Sequence, residues 1–364
     1  MATVVARKRA DGTQAFSCQI SIMKDGAIVH RESRTFNDKA MAKSWGEKRE
    51  IALTKPGGLE AAKIGKEMLS DAIDKYVATS RKKIGRTKSQ VLESIKEMDI
   101  AKKRCSDIGP ADIVDLAQEL HDGGRQPSTV MNYISHLQAV FTVAKPAWGF
   151  ELNPQAMVGA QAVCKRLGLT SKSNQRDRRP TLDELDKLMT HFGIVESRRT
   201  GNIPMQKIVA FAIFSTRRQE EITRIAWKDL EPGRVLVRDM KHPGDKIGND
   251  TWCDLVPEAE RIIKAMKKVE KEIFPVAAET ISTAFTRACY ATGINTEDMP
   301  NDERLHFHDL RHDGISRLFE MGWNIPHVAA VSGHRSWQSL KRYTHLRHTG
   351  DKYAEWKWLD RITA

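Results

Sequence analysis

The first part of the chain alternates apolar and polar residues in the manner of a strand. Over residues 16–22 every second position is apolar, which is the period of a strand with one buried face. Asp25-Gly26 follows as a turn signal, because this pair tolerates the positive φ of a tight hairpin. Asp38 then stands at a helix N-cap position, ahead of apolar residues at helical spacing. The pattern predicts a three-stranded sheet followed by one helix that ends near Leu53.

A helical period replaces the strand period over most of the remaining chain. Residues 65–150 contain two apolar stripes at three- and four-residue spacing. A capping box at residues 181–184 opens a further helical stretch that continues to the C-terminus. Short strands around residues 235–237 and 251–256 interrupt it, with residues 241–250 as their turn. The expected fold class is therefore mainly α with small β elements, including a small antiparallel sheet in the last domain.

Two breaks in these patterns divide the chain. A Pro-Gly-Gly sequence ends the first element group, and a basic stretch without apolar periodicity separates the two helical regions. We expect a sheet domain at residues 1–58, a helical domain at 64–164, a basic linker at 165–179 and a mixed, mainly helical domain at 180–364. Composition alone leaves open whether the linker is a tether that helps to encircle a duplex or a plain solvated connection.

The charge of the chain indicates what class of partner it binds. The chain has 364 residues, of which 59 are Lys or Arg and 47 are Asp or Glu, so its formal net charge is +12. Such a balance favours nucleic acid as a partner, with a solvated basic surface as the alternative. The candidate DNA contacts lie between the helical stripes and in the linker: Lys82, Lys83, Arg86, Lys88, Arg176, Arg178 and Arg179.

Other features narrow the class of protein. There is no run of about 18 apolar residues, so neither a spanning helix nor a membrane partner is expected. The N-terminal residues lack the apolar stretch of a secretory signal. Five scattered cysteines without a CxxC pair are typical of a reducing compartment. We therefore expect a cytoplasmic protein.

Candidate chemistry is concentrated near the C-terminus, where seven of the twelve histidines lie in the last 59 residues. Carboxylates at ligand spacing are sparse and arginines crowd the same segment, so no metal site is expected. Arginine and histidine without a carboxylate cluster favour a phosphate, and a phosphate site without a metal needs a side-chain nucleophile. Tyr343, nine residues after His334, is the candidate. His306, His327 and His348 are expected to be core histidines.

Several short motifs then carry a resemblance to a known family. His308-Asp309-Leu310-Arg311-His312, Ser332-Gly333-His334 and Lys341-Arg342-Tyr343 resemble, in order and spacing, the motifs of tyrosine recombinases, also called the phage integrase family. Arg218-Gln219-Glu220-Glu221 is similar to the family's first arginine motif. Lys241 stands in the predicted turn where the family keeps its lysine. The stretch from residue 306 to 346 is especially similar to plasmid shufflon recombinases.

One position departs from the family pattern. The family usually has Thr-Gly-hydrophobic-Arg before the first arginine, whereas this chain has Ser215-Thr216-Arg217-Arg218. Either arginine is therefore a candidate. Glu221 and Trp227 stand at the family spacing from Arg218, which favours Arg218 and leaves Arg217 as an expected DNA-backbone or surface residue.

The resemblance implies a set of residue roles in DNA cleavage without metal, cofactor or ATP. Tyr343 would attack the scissile phosphate and form a 3′-phosphotyrosyl bond. Arg218, Arg311 and His334 would bind the phosphate oxygens, and Lys241 would protonate the leaving 5′-oxygen. His308 would assist proton transfer, and Glu221 would orient an arginine or a histidine.

The resemblance also implies domain roles and partners. Residues 1–58 look like an arm-site DNA-binding domain, and residues 64–164 look like a helical core-site DNA-binding domain. We expect double-stranded DNA as substrate and a homotetramer on DNA with C-terminal exchange, in the nucleoid of a bacterial or phage-infected cell. An excision factor or a DNA-bending host protein is a further candidate partner. The exchanging segment would contain Tyr353, Trp356, Trp358 and Leu359.

The expected function is a phage or genomic-island integrase that acts on mobile DNA. A DNA invertase of the shufflon type is the alternative within the family. A type IB topoisomerase and a non-catalytic DNA-binding regulator are the alternatives outside it.

Overall fold

The protein is represented by a computed structural model. The structure describes residues 2–8, 14–24, 27–56, 58–59, 66–173, 176–198, 203–240 and 248–364. It divides into two compact units, Met1–Asn174 and Gln175–Ala364. Within the described ranges no helix is long and apolar enough to cross a membrane.

The first unit begins with an antiparallel sheet. Its strands are β1 (Ala2–Lys8), β2 (Gln14–Lys24) and β3 (Ala27–Phe36), with β2 in the centre. Helix α1 (Lys39–Thr54) follows, and its N-cap Asp38 accepts a hydrogen bond from the Met41 backbone N–H at 2.8 Å. A small core of Cys18, Ile20, Ala42 and Leu53 joins the sheet to the helix. The predicted sheet and helix are thus confirmed.

Five α-helices within residues 66–173 enclose a separate core. They are α2 (Leu69–Thr79), α3 (Arg86–Lys96), α4 (Pro110–Asp122), α5 (Pro127–Trp148) and α6 (Pro154–Arg166). Proline opens the last three, where its missing N–H costs no intrahelical bond. The apolar stripe of α5 is buried in this core through Ile134, Leu137 and Phe141.

The second unit combines a small sheet with helices. Its elements are α7 (Leu182–Ser197), α8 (Met205–Ser215), α9 (Gln219–Ile222), β4 (Leu230–Glu231), β5 (Arg234–Val237), β6 (Thr251–Asp254), α10 (Pro257–Lys264), α11 (Ala278–Ala291), α12 (Phe307–Glu320), α13 (Ile325–Ser332) and α14 (Trp358–Thr363). The strands pair antiparallel in the order β4-β5-β6.

Helix α8 runs through the core of this unit. From Ile208 to Ser215 every residue is buried, which explains why its sequence is apolar on all sides. Helix α12 crosses α8 closely at Gly314, where an added Cβ would lie 2.0 Å from the Ile213 carbonyl oxygen. This crossing fixes the position of α12, which carries two of the predicted catalytic residues.

The predicted basic linker differs from the structure. Lys165 and Arg166 form the last turn of α6, and residues 176–179 lie along the second unit. Each of the three arginines there binds a carboxylate, so this stretch is neither a free tether nor a solvated connection. The pairs are Arg176 with Asp309, Arg178 with Glu184, and Arg179 with Asp313 and Glu320.

The C-terminal segment packs on its own unit. Tyr353 and Trp356 are buried, and the Tyr353 hydroxyl donates to the buried carboxylate of Asp313. The indole N–H groups of Trp356 and Trp358 both donate to Asp186, at 3.2 and 2.8 Å. The aromatic side chains of the segment expected to dock on a neighbouring protomer complete the core of their own unit, and the exchange itself stays a prediction.

Candidate active site

A buried carboxylate organises the arginines of the site. Glu221 lies in α9 with no exposed surface and faces three guanidinium groups. Its carboxylate oxygens are 2.7 Å from Arg218 Nη1, 3.8 Å from Arg217 Nη1 and 3.9 Å from Arg311 Nη1. Burial alone would raise the pKa of Glu221, but the three positive charges outweigh it and lower that pKa to about 2. Glu221 is therefore ionised and holds like charges together. We call these four residues the arginine cluster.

Arg311 is positioned by the backbone around it. It lies on α12, is 4% exposed, and donates to the Thr216 carbonyl, to the Ser332 carbonyl at 3.1 Å and to His334 Nε2 at 3.3 Å. Burial and the charges of Arg218 and Arg217 lower its pKa to about 9. A guanidinium whose charge is this poorly compensated is suited to an anion such as phosphate.

His334 follows the end of α13 beside Arg311. Gly333 makes the turn with φ of 69°, and an added Cβ there would lie 2.6 Å from Met240 Cε, so only glycine fits. Because a guanidinium only donates, His334 Nε2 accepts from Arg311, which places the ring proton on Nδ1, 2.7 Å from Ser332 Oγ. Desolvation, followed by the neighbouring arginines, lowers the pKa of His334 to about 3. The imidazole is therefore neutral.

A solvent-open pocket of about 390 Å³ lies beside the arginine cluster. Arg218, Glu221 and His308 line it together with residues of α11. His308 is exposed at its rim, yet the surrounding protein removes part of its solvent. This desolvation, followed by the charges of Arg311 and Arg218, lowers the pKa of His308. The pocket therefore presents the Arg218 guanidinium and the His308 imidazole, and its lining also contains Arg224, Glu220 and Glu279.

The structure distinguishes Arg217 from Arg218, the two arginines of the motif that differs from the family pattern. Arg218 lines the pocket, and its side chain is 28% exposed. Arg217 is 1% exposed, which corrects the expectation of a DNA-backbone or surface residue. Thr216 has φ of 56°, a left-handed conformation that favours the glycine usual in the family. Thr216 adopts this conformation without being glycine, and the side chain of the next residue, Arg217, is buried.

Tyr343 lies against α12, outside hydrogen-bond reach of the cluster. It ends the one-turn helix Lys341–Tyr343 and is 7% exposed. Its ring stacks on Phe319, with planes 6° apart, and meets the His312 ring at a centroid distance of 5.0 Å. Among the described residues, none forms a hydrogen bond with its hydroxyl. Burial raises the pKa of Tyr343, although Arg342 and Arg311 oppose that rise.

Lys241 lies outside the described residues, but both ends of its turn are described. Met240 and Asn249 hold each other through two hydrogen bonds, of 2.8 Å from the Met240 N–H and 2.6 Å from the Asn249 side-chain amide. Met240 is buried against Gly333, the residue before His334. Met240, the last described residue before Lys241, therefore lies beside the arginine cluster.

The residues predicted to contact DNA differ in whether their side chains already have a partner within the protein. Lys82, Lys83 and Arg86 are exposed, and within the described ranges none of them has an ion-pair partner. Lys88 donates to the Tyr76 hydroxyl at 2.6 Å and lies over that ring. The linker arginines are already occupied by carboxylates, as described above.

Two further observations concern the histidines. His327 and His348 are exposed and His306 is half-buried, so the expected core histidines are wrong, because these side chains lie on loops and helix ends. Among the residues with described placement, no three His, Cys, Asp or Glu side chains gather as metal ligands.

The sequence analysis did not identify Ser332 as the hydrogen-bond partner of His334, although Ser332 stands two positions before His334 in one of the motifs.

Comparison with known proteins gives the same family. Residues 178–349 match the phage integrase family. A shufflon-specific DNA recombinase of Escherichia coli is 32% identical over 303 residues, which cover 79% of this chain and 72% of that protein.

Solved structures share the fold. A lambda integrase dimer bound to a COC′ core site has a TM-score of 0.59 at 19% identity, with 93% of this chain and 94% of that chain covered. A lambda integrase tetramer bound to a Holliday junction has a TM-score of 0.58 at 20% identity, covering 91% and 95%. Together with the ordered Arg, His and Tyr motifs, these matches show that the chain belongs to the phage integrase family of tyrosine recombinases.

Proposed function

We propose that this protein cuts and rejoins DNA through a 3′-phosphotyrosyl bond to Tyr343. The observation that carries the proposal is the arginine cluster, in which Arg218 and Arg311 flank one ionised, buried carboxylate beside an open pocket. The three guanidinium groups and one carboxylate leave a formal charge of +2. A phosphodiester carries one negative charge and its five-coordinate transition state carries two, so the cluster favours the transition state.

The chemistry needs no metal in this proposal. The Tyr343 oxygen attacks phosphorus, its proton passes to His308 or solvent, and the 5′-oxygen leaves with a proton from Lys241. Arg218 and Arg311 bind the non-bridging oxygens, and loss of one such donor costs about 10²–10³ in rate. Attack by the 5′-hydroxyl of another strand reverses the step and releases the tyrosine, so no external energy source is required.

His334 has a defined part in the same proposal. Once a phosphate replaces His334 as the acceptor of the Arg311 hydrogen bond, the imidazole loses its Nδ1 proton and carries one on Nε2 instead. The Ser332 hydroxyl then donates to Nδ1, and Nε2–H donates to the phosphate. Ser332 Oγ already lies 2.7 Å from Nδ1, which supports this change of tautomer.

The Tyr343 turn has to move for cleavage. Its ring packs beside His312 and Phe319, and burial of the residue raises the pKa of Tyr343, so the free protein keeps the nucleophile protonated. Movement of residues 341–343 toward the arginine cluster removes that burial and adds nearby positive charge. Both changes lower the pKa of the tyrosine and favour attack.

The first unit is proposed to bind DNA. Its sheet would contact an arm-type site and its helices a core-type site, with Lys82, Lys83 and Arg86 on phosphates because they are exposed and unpaired among the described residues. We do not include Arg176, Arg178 and Arg179, since their guanidinium groups bind carboxylates.

The finer function we propose is integration and excision of a phage or genomic island. The N-terminal sheet followed by a helix supports it, because a separate arm-site domain suits an integrase. Inversion of a DNA cassette is the second candidate, since the Escherichia coli relative is a shufflon-specific recombinase. Plasmids with two mapped sites as direct or inverted repeats separate the two, because excision gives circles and inversion gives flipped segments.

Assembly is proposed by analogy with the lambda integrase tetramer on a Holliday junction. Tyr353 and Trp356 are buried in their own unit, so we restrict C-terminal exchange to α14, which lies beside α10 and, apart from the buried Ile362, is partly or fully exposed. A DNA-bending host protein or an excision factor would act on the DNA around this assembly.

Covalent capture tests the proposal. Wild type and Tyr343→Phe are mixed in EDTA with DNA from the flanks of the gene and separated under denaturing conditions. We expect a shifted protein–DNA band for wild type and none for Tyr343→Phe, with the same native DNA binding. Tyr353→Phe is the matched control and should keep the band. Specific binding without any covalent band would overturn the proposal and favour a DNA-binding regulator.

A further inference from the structure

Arg217 is a buried arginine that adds charge to the arginine cluster but makes no contact with the phosphate in the proposed chemistry. Its guanidinium donates to three groups from three elements: the Ser215 carbonyl at 3.1 Å, Cys253 Sγ at 2.9 Å and the Val331 carbonyl. It also lies 3.8 Å from Glu221. A buried guanidinium is costly unless its donors are satisfied, and these contacts satisfy it from α8, β6 and α13.

These contacts join the parts of the site that have to stay in register. Val331 precedes Ser332 and His334, and Cys253 lies in the strand that pairs with β5, which leads to the Lys241 turn. Glu221 binds the two proposed phosphate-binding arginines. One side chain thus holds the histidine turn, the small sheet and the central carboxylate together.

We propose that Arg217 is a positioning residue that fixes His334 and Glu221 for phosphate binding. The inference rests on the proposed function, because positioning matters only if the site cleaves DNA. Arg217 touches no substrate, since it is 1% exposed. It acts through the Val331 carbonyl, which sets the turn before His334, and through its charge on Glu221.

A second buried arginine supplies the matched control. Arg317 is also 1% exposed and lies on α12, where it donates to both carboxylate oxygens of Asp351 at 2.6 Å. It binds Glu258 as well and lies over the Phe214 ring. Its contacts are with residues outside the arginine cluster. A purely structural role for Arg217 would make the two arginines equivalent.

The experiment compares Arg217→Met, Arg217→Lys and Arg317→Met with wild type. The DNA contains the mapped cleavage site. The readouts are the single-turnover rate of covalent complex formation at saturating DNA and the Kd for the same DNA. We expect Arg217→Met to lower the rate about 10- to 100-fold, the range for losing hydrogen bonds to a charged group, with Kd within about twofold. Arg217→Lys, which keeps the charge, should recover part of the rate. Arg317→Met should leave the rate of the folded fraction unchanged.

Nuclear magnetic resonance of ¹⁵N-histidine gives a readout that needs no DNA. His334 faces the charges of Arg311, Arg218, Arg217 and Glu221, and removal of one positive charge raises its pKa from about 3. The His334 signal, assigned with His334→Gln, should titrate at higher pH in Arg217→Met and stay near wild type in Arg217→Lys and Arg317→Met. An unshifted His334 signal in Arg217→Met would overturn the inference. Failure of wild type to form a covalent complex would instead refute the proposed function and leave this readout to decide on positioning.

Discussion

At the residue scale, the site depends on one carboxylate that compensates three guanidinium groups. Like charges repel strongly at low dielectric, so the buried Arg217 and Arg311 and the partly exposed Arg218 require Glu221 between them. The sequence motif suggested that Glu221 would orient an arginine or a histidine, and its position among the arginines is consistent with that expectation. The motif did not indicate that Glu221 would face three guanidinium groups.

Glu221→Gln tests this compensation through the pH dependence of stability. The pKa of Glu221 falls from 4.5 when unfolded to about 2 when folded, so its ionised form stabilises the protein at every pH above 4.5. This contribution, about 3 kcal/mol, is lost as the pH falls from 4.5 toward 2. We expect the free energies of unfolding of wild type and Glu221→Gln to differ at pH 7 and to converge near pH 2.

Denaturant titrations at a series of pH values measure that difference. Glu220→Gln is the control, because Glu220 is exposed and should change the free energy of unfolding by no more than about 0.5 kcal/mol. A constant gap between wild type and Glu221→Gln across the whole pH range would contradict the account.

At the element scale, the crossing of α8 and α12 determines where Arg311 and His308 lie. Thr216 ends α8 in a left-handed conformation and gives its carbonyl to Arg311, so the end of one helix binds a side chain of the other. The crossing is close because Gly314 has no side chain. A change in this contact alters the geometry of the site without touching a phosphate-binding residue.

Gly314→Ala tests the close contact. An added Cβ would lie 2.0 Å from the Ile213 carbonyl, a backbone atom that cannot rotate away. We expect the free energy of unfolding of the second unit to fall by about 3 kcal/mol, measured by denaturant titration. Gly193→Ala, on α7, would meet only the amide end of Gln206 and should cost clearly less. Equal effects of the two variants would show that the crossing is looser than described.

The elements could be predicted because period and capping are local properties. Alternation over residues 16–22 and the capping box at Thr181 both specify elements found in the structure. The buried state of Arg217 could not be predicted, since it depends on Cys253 and Val331, which are distant in sequence. The linker arginines were misinterpreted for the same reason, because their carboxylate partners lie more than a hundred residues away, except for Glu184.

At the scale of the whole molecule, the second unit is held together at its edges by residues from both of its chain ends. Residues 176–179 bind α12 and the one-turn helix Lys341–Tyr343. In that helix Arg342 donates to the Arg176 carbonyl at 2.6 Å and binds Asp177. The C-terminal segment binds α7 through Asp186. The proposed catalytic motifs are thus enclosed by segments that the sequence predicted to be a linker and an exchanging C-terminal segment.

Removal of residues 357–364 tests the proposed role of α14. The truncated chain loses Ile362, which is buried in the core, but keeps the buried Tyr353 and Trp356. We therefore expect it to fold with a lower free energy of unfolding and to bind a single DNA site as wild type does. Assembly on a Holliday junction, measured by analytical ultracentrifugation, should weaken at least about tenfold, which corresponds to about 1.4 kcal/mol. Wild-type assembly by the truncated chain would refute exchange through α14.

Covalent attachment of Tyr343 to DNA can be read from the mass spectrum of the protein–DNA adduct. Trypsin cuts after Arg342 and Arg347, so the nucleophile lies on the short peptide of residues 343–347. After nuclease digestion of the covalent complex, we expect this peptide to carry the mass of a 3′-nucleotide on Tyr343. An adduct on one of the other four tyrosines, or on a histidine, would contradict the account.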